Sequence, residues 1–198
     1  NEGNMGSNKA TLDYFDYETG IYHKNIYAER NPGVVQELGD VGNDIQIYGN
    51  KLYAIINCSH FVEVMNVETA KHITQISIPN CRYIVFKDKY AYVSSYAGPV
   101  KIDPNARLGY VARVDTTTLT VKDTCVVGYQ PEEMVIVGNK LYVANSGGYR
   151  VPNYDRTVSV IDLNTFKVIK TIDVGINLHR MELDQYGKII MTLTPKHL

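Results

Sequence analysis

Gly49-Asn50-Lys51-Leu52-Tyr53-Ala54, Lys87-Asp88-Lys89-Tyr90-Ala91-Tyr92-Val93 and Gly138-Asn139-Lys140-Leu141-Tyr142-Val143 are three versions of one pattern. Each is followed, after a loop, by an alternating apolar segment and a turn: Val62-Glu63-Val64-Met65-Asn66-Val67-Glu68-Thr69, Val111-Ala112-Arg113-Val114-Asp115-Thr116-Thr117 and Val158-Ser159-Val160-Ile161-Asp162-Leu163-Asn164-Thr165. Alternation with a period of two is the mark of strands packed between layers. The Gly, Asn and Asp residues between the segments accept positive φ or bond their own backbone, as tight hairpin turns require. Asp115 lies 49 residues after Asn66, Asp162 lies 47 after Asp115, and Asp16, in Phe15-Asp16-Tyr17-Glu18-Thr19-Gly20, lies 50 before Asn66. A repeat of this length made only of short strands predicts a β-propeller with one four-stranded blade per repeat.

The expected fold is therefore all-β, with about four blades' worth of propeller in a single domain over 1–198. Outer strands of a first blade fall in 10–30, full blades in 44–79, 82–128 and 132–174, and inner strands of a fifth in 179–195. Two arrangements fit this division. The outer strands at one end could complete the inner strands at the other, closing a small four-bladed ring, or the chain is a portion of a longer propeller; the second is expected, because a four-bladed ring is the smallest known. Val160 is expected to face a neighbouring blade, and no helix beyond a turn or two is expected.

With 44% hydrophobic and 21% charged residues, the chain has the composition of an ordinary globular core. No apolar run approaches about 18 residues, so no helical membrane span is read. A formal net charge of −1 without a Lys/Arg cluster argues against a nucleic-acid partner, which demands a concentrated basic footprint. The three cysteines, Cys58, Cys81 and Cys125, cannot all pair within one chain, and buried free thiols are expected.

Propellers bind ligands at the mouth of the central channel, on loops that lead into the inner strands. Ile45, Ile84 and Met134 each lie eight residues before Tyr53, Tyr92 and Tyr142 and are thus equivalent. The residues just ahead of them, Asn43-Asp44, Arg82-Tyr83 and Glu132-Glu133, together with His179-Arg180 ahead of Met181, change from acid to base to aromatic around the repeat. A purely structural position has no need of that variety, so these are candidate ligand contacts. Insertions give a second set. Tyr53 to Asn66 spans 13 residues, whereas Tyr92 to Asp115 spans 23 and Tyr142 to Asp162 spans 20. The added length falls in 94–107 and 145–156, where Gly- and Pro-bearing loops on a rigid sheet are natural carriers of binding residues. Tyr96, Tyr149 and Tyr154 there offer flat apolar faces with a hydroxyl handle.

Other features read as structural. Tyr53, Tyr90, Tyr92 and Tyr142 lie in strands and are expected to pack. His23, His60, His72, His179 and His197 show no metal-site spacing. Asp103-Pro104-Asn105 is a turn before it is a calcium ligand set, and Asn57-Cys58-Ser59 matches a glycosylation sequon at a strand end, a poor acceptor. Adjacent Glu132 and Glu133 in a strand point to opposite faces and cannot share a substrate. With no nucleophile elbow and no Gly-rich phosphate loop, catalysis is not expected. The competing readings are a small-ligand receptor and a protein-binding or surface-layer scaffold, separated by whether the candidate residues converge on a concavity or spread over a flat face.

At Leu141-Tyr142-Val143-Ala144-Asn145, Val158-Ser159-Val160-Ile161-Asp162, Thr165, Val168-Ile169 and Thr171-Ile172-Asp173-Val174-Gly175 the chain resembles the YVTN-type seven-bladed propellers. Asn1-Glu2-Gly3-Asn4-Met5-Gly6-Ser7-Asn8-Lys9-Ala10, leading to Leu12-Asp13-Tyr14-Phe15-Asp16, is similar to the opening of exported propeller lipoproteins, among them the surface-exposed vitamin B12-binding lipoproteins of TonB-dependent transporters. The resemblance implies seven blades, export to the outer-membrane surface through an upstream lipid-modified Cys, a non-catalytic role, cobalamin as ligand, no bound cofactor, and a TonB-dependent outer-membrane transporter as partner. The chain departs from it in length, since seven such blades need well over 198 residues.

Overall fold

A computed structural model of the chain describes residues 2–7, 9–34 and 37–193; residues 194–195 of the expected fifth blade, and His197, lie outside the described residues. It is all-β, with sixteen strands and one short helix among the described residues. They fall into two compact units, Asn1–Cys81 and Arg82–Leu198. In the first, β1 (Tyr14–Asp16) pairs with β2 (Ile21–His23), helix α1 (Ile26–Arg30) follows, and β3 (Gly42–Tyr48), β4 (Lys51–Ile56), β5 (Phe61–Asn66) and β6 (His72–Ser77) form an antiparallel sheet in sequence order. In the second, β7 (Cys81–Lys87), β8 (Tyr90–Ser95), β9 (Tyr110–Asp115) and β10 (Thr120–Val126) make one four-stranded sheet. A further sheet holds β11 (Pro131–Val137), β12 (Lys140–Asn145), β13 (Thr157–Asp162) and β14 (Lys167–Asp173), and β15 (Leu178–Leu183) pairs with β16 (Ile189–Leu193). These four-stranded meanders are propeller blades.

The outer hairpin of every copy is built the same way. Oδ1 of Asp16, Asn66, Asp115 and Asp162 accepts the N–H groups two and three residues on, at 2.9–3.2 Å. The residue four on then donates its N–H to the backbone carbonyl of the same Asp or Asn at 2.8–2.9 Å. That residue sits at positive φ: Gly20 at 72°, Ala70 at 54°, Leu119 at 56° and Phe166 at 51°. The inner hairpin has its own left-handed position, Gly49, Asp88, Gly138 and Gly187, with φ of 60°, 52°, 57° and 74°. Glycine takes this conformation freely, while other L-residues pay roughly 1–2 kcal/mol.

Packing between sheets supplies the core of the second unit. Tyr92, Val111 and Cys125 meet Met134, Leu141, Ile161 and Phe166, all buried. At the margin of that layer the Arg113 guanidinium lies between the rings of Tyr90 and Phe166, 4.9 and 4.6 Å from their centroids, and bonds Asp123. Leu178 and Met181 of β15 close on Val135, Ala144 and Val158 in the same manner. Val160 is buried as well. Tyr53 and Tyr92 are buried strand residues, and Tyr90 packs at the edge of the same core.

In the first unit, α1 is pinned by Asn31, whose amide donates to the carbonyls of Tyr27 and Ala70 and accepts from the His72 N–H. Face-to-face packing of every strand is not what the structure gives here. Ile45 and Ile47 are exposed on β3 and line, with Leu12, Tyr14, His23 and Ile26, an open groove of about 880 Å³. Strand alternation marks which residues share a face but not whether a second layer covers it. None of the three cysteines is in a disulfide, and Cys81 donates to the Phe61 carbonyl and Cys58 to the Asn57 side chain. Asn57 is buried and gives its amide to the Cys81 carbonyl, which removes the sequon from use.

Two outcomes follow from the turns. The Asp115 and Asp162 carboxyls lie below the ordinary 3.8 because the Thr118 and Thr165 backbone N–H groups bond the charged form, and Asp16 does so through Thr19. A depressed folded value contributes stability that is complete above about pH 4 and is lost as pH falls through the folded value. Replacing Asp115 and Asp162 by Asn should therefore lower stability near neutrality by the contribution of the charged form and flatten the acid limb of a pH–stability curve. Asp88 is the one non-glycine at its repeat position, so Asp88→Gly should raise unfolding free energy by about 0.5–1 kcal/mol in chemical denaturation. A loss would mean that its side chain outweighs the backbone strain.

Candidate ligand-binding site

Each innermost strand opens on a residue at positive φ, namely Val41 at 60°, Asn80 at 43°, Gln130 at 49° and Asn177 at 58°. Directly after it the ladder slips: register breaks between Gly42 and Asp44, between Pro131 and Met134, and between Leu178 and Met181. These β-bulges coincide with Asn43-Asp44, Glu132-Glu133 and His179-Arg180, the positions singled out by the changing chemistry. A bulge re-aims side chains that regular pleating would send to fixed faces.

Glu132 is aimed inward, with 3% of its surface exposed. Its Oε2 accepts the Arg82 Nε–H at 3.0 Å and its Oε1 accepts the Tyr96 hydroxyl, with the Ser146 hydroxyl 3.5 Å away. The Arg82 guanidinium also lies over the Tyr96 ring, 4.9 Å from its centroid. Burial disfavours the Arg82 charge, but the Glu132 carboxylate outweighs that cost and holds its pKa above the ordinary value. Burial first, then the Glu132 charge, pushes the Tyr96 hydroxyl well above its ordinary 10.0, so it remains a proton donor to the carboxylate.

Glu133 points elsewhere, as neighbours on a strand should. Its Oε1 accepts the Arg180 Nη1–H at 2.5 Å and its Oε2 the Met181 N–H at 2.8 Å. Tyr83 links this pair to the buried one: the His179 ring meets it edge-on at 6.3 Å, and the guanidinium carbons of Arg82 and Arg180 lie 5.8 and 5.7 Å from its centroid.

The two insertions are strapped together. The Asp103 N–H donates to the Tyr149 carbonyl at 2.9 Å, and the Arg150 guanidinium donates to the carbonyls of Asn153 and Pro104 at 2.7 and 3.1 Å while stacking on Tyr129. Tyr96 and Tyr149 meet edge-on at 6.3 Å. Asp155 holds the base of the 145–156 loop, its carboxylate accepting from Tyr129 N–H and from Thr157 N–H and hydroxyl. Gly147, at φ 55°, packs against the Asp155 backbone where any Cβ would collide. Asp103 Oδ1 is taken by the Asn105 N–H, which makes that segment a turn.

Arg82, Tyr83, Tyr96, Glu132, Glu133, Tyr149, His179 and Arg180 are thus brought together within the second unit. Tyr154 lies half-buried on the 145–156 loop. Asn43 and Asp44 belong to the first unit, where Asp44 Oδ1 accepts from the Ile45 N–H and the Gln46 amide at its own bulge. Two residues of the network escaped sequence reasoning. Buried Gln130 accepts the Tyr149 N–H at 2.7 Å, and Ser146 reaches the Gln130 carbonyl at 3.0 Å. The equivalence of Gln130 with Asn80 and Asn177, three amides at one repeat position, was the available signal.

Residues 1–196 match the family described as a domain of unknown function (DUF5074), and the chain belongs to that family. Among curated proteins none matches it. Solved structures similar to it include Kuenenia stuttgartiensis hydrazine synthase, with TM-score 0.74 and 19% identity over 96% of this chain and 52% of that one. The WD40 β-propeller domain of Doa1 follows with TM-score 0.59 and 16% identity over 77% and 47%, and BamB from Moraxella catarrhalis with 0.55 and 11% over 72% and 37%. The chain spans about half the length of the hydrazine synthase chain it matches. At these identities the likeness is one of fold, the β-propeller.

Removing the central carboxylate leaves the Arg82 guanidinium, whose side chain is only 13% exposed, without its anion. Glu132→Ala should cost about 3–5 kcal/mol in chemical denaturation. Glu133→Ala, whose partner Arg180 is 60% exposed, should cost about 1 kcal/mol. Equal losses would show that Glu132 is not the organising charge.

Proposed function

We propose that the chain is a non-catalytic ligand-binding propeller, and that the ligand is a corrinoid captured at the cell surface for delivery to a TonB-dependent outer-membrane transporter, the protein being held to the membrane by an upstream lipid anchor. The observation that carries the binding reading is the convergence of eight candidate residues on one cross-braced patch. The exposed ring of Tyr149, donors of Arg180 and His179, and two loops fixed in advance are what a large ring compound with amide and phosphate edges calls for. The corrinoid itself rests on the resemblance at 1–16 and in the YVTN-like repeats. In a non-catalytic role the carboxylates serve structure: Glu132 is engaged by Arg82 and Tyr96, and Glu133 by Arg180 and the Met181 N–H.

Calorimetric titration with cobalamin tests the proposal. Wild-type protein at micromolar concentration should give saturable heat without chemical change in the corrinoid spectrum. Arg180→Ala combined with Tyr149→Ala should weaken binding about a hundredfold or more, since each anchor at a desolvated contact is worth about 2 kcal/mol. No heat with wild type would sink the corrinoid and leave the protein-binding scaffold as the better reading. Strong binding indifferent to the double substitution would keep the ligand and refute the site.

A further inference from the structure

Beside the patch, the 96–107 loop encloses a cavity of about 270 Å³ lined by Tyr96, Gly98, Pro99, Lys101, Asp103, Asn105, Ala106, Arg107 and Gln130. Lys101, from the middle of the loop, and Arg107, from its end, both line it, and no hydrogen bond or ion pair engages either side chain among the described residues. The one carboxylate on the wall, Asp103, gives Oδ1 to the Asn105 N–H. Two cations thus line the space against one acid, in a chain whose formal net charge is −1. The floor is the buried Tyr96 side chain, whose hydroxyl is committed to Glu132 and not available as an acid partner.

We propose that this cavity is an oxyanion subsite that takes the carboxylate or phosphate arm of a small ligand, with Lys101 and Arg107 as its cationic jaws and Tyr96 and Gln130 as its floor. The inference rests on the binding reading above and adds the charge of the ligand to it. Four arguments support it. A volume of about 270 Å³ has room for one oxyanion and a short stem. The backbone carrying the jaws is ordered in advance by Asp103 N–H on the Tyr149 carbonyl and by Arg150 on the Pro104 carbonyl, so little ordering remains to oppose binding. Arg offers a planar fork and Lys a point charge, the pairing that grips a tetrahedral or planar oxyanion from two directions. Tyr96 and Tyr149 join the cavity to the aromatic patch, so a ligand seated there extends naturally across both.

The test is a titration of ¹⁵N-labelled protein with inorganic phosphate and, separately, with succinate, at ionic strength held constant with sodium chloride, following the amide signals of Gly98, Asn105 and Gln130. Saturable shifts confined to the 96–107 and 128–130 segments are expected with at least one of the two, and which one binds separates a phosphate arm from a carboxylate arm. Lys101→Gln and Arg107→Gln should each weaken binding about tenfold, and the pair should abolish it, while Lys170→Gln on the exposed face of β14 changes nothing. Both jaws are exposed loop residues, so the variants should fold normally. Shifts that match those of chloride, that fail to saturate, or that survive the double substitution would overturn the subsite. Cobalamin titrated into the same samples distinguishes the two failures: corrinoid heat without oxyanion shifts removes the subsite alone, and oxyanion shifts without corrinoid heat remove the corrinoid alone.

Discussion

Glu132 is a carboxylate kept from water, and the candidate site is organised around what that requires. Moved into a low-dielectric interior, an ionised carboxylate costs several kcal/mol unless a counter-charge and hydrogen bonds meet it. Arg82 supplies the charge from β7 and Tyr96 a hydroxyl from the first insertion, while Ser146 of the second, its hydroxyl given to the Gln130 carbonyl, lies 3.5 Å from the same carboxylate. Two sheets and the first long loop are therefore fixed to one carboxylate, with the second loop held beside it at the Gln130 carbonyl. Hydrophobic packing of Tyr92, Leu141 and Phe166 holds the same sheets together but would tolerate small slips; the buried pair would not.

The rigidity this produces bears on binding. Loops of about a dozen residues ordinarily lose considerable conformational freedom when they close on a ligand. Here Asp103 bonds Tyr149, Arg150 bonds Pro104, and Asp155 anchors the base of the second loop. Most of the ordering is then already present in the folded chain. Interactions with Tyr149 would translate more fully into affinity than they would on a free loop.

The fold was legible because its signals are local and repeated. Asp-x-x-Thr turns, Gly-Asn-Lys turns and alternating strands each declare themselves over six or seven residues, and the spacing between Asp115 and Asp162 declares the blade. Less legible were the left-handed residues four places after each turn acid. Ala70, Leu119 and Phe166 share a backbone conformation without sharing a side chain, because the hairpin imposes it and tertiary packing, as with buried Phe166, offsets its cost. The exposure of Ile45 and Ile47 escaped for a different reason: alternation in a strand reports a shared face and is blind to whether another layer lies on it.

Within the site, polarity was visible and direction was not. A sequence places Glu132 and Glu133 at the start of a strand and sends them to opposite faces, yet it does not say which one is swallowed by the protein. The bulge after Gln130 decides that, and Gln130 is able to set it because its positive φ ends one run of backbone and begins another. One glutamate thereby becomes the internal counter-charge of Arg82, while the other holds Arg180 at the surface. The same acid type, one residue apart, does framework work in one case and positions a surface cation in the other. It follows that charge reversal at the two positions should not be equivalent: an Arg at 132 would face Arg82 in a space with no water to screen them, whereas an Arg at 133 would meet an Arg180 that solvent already reaches.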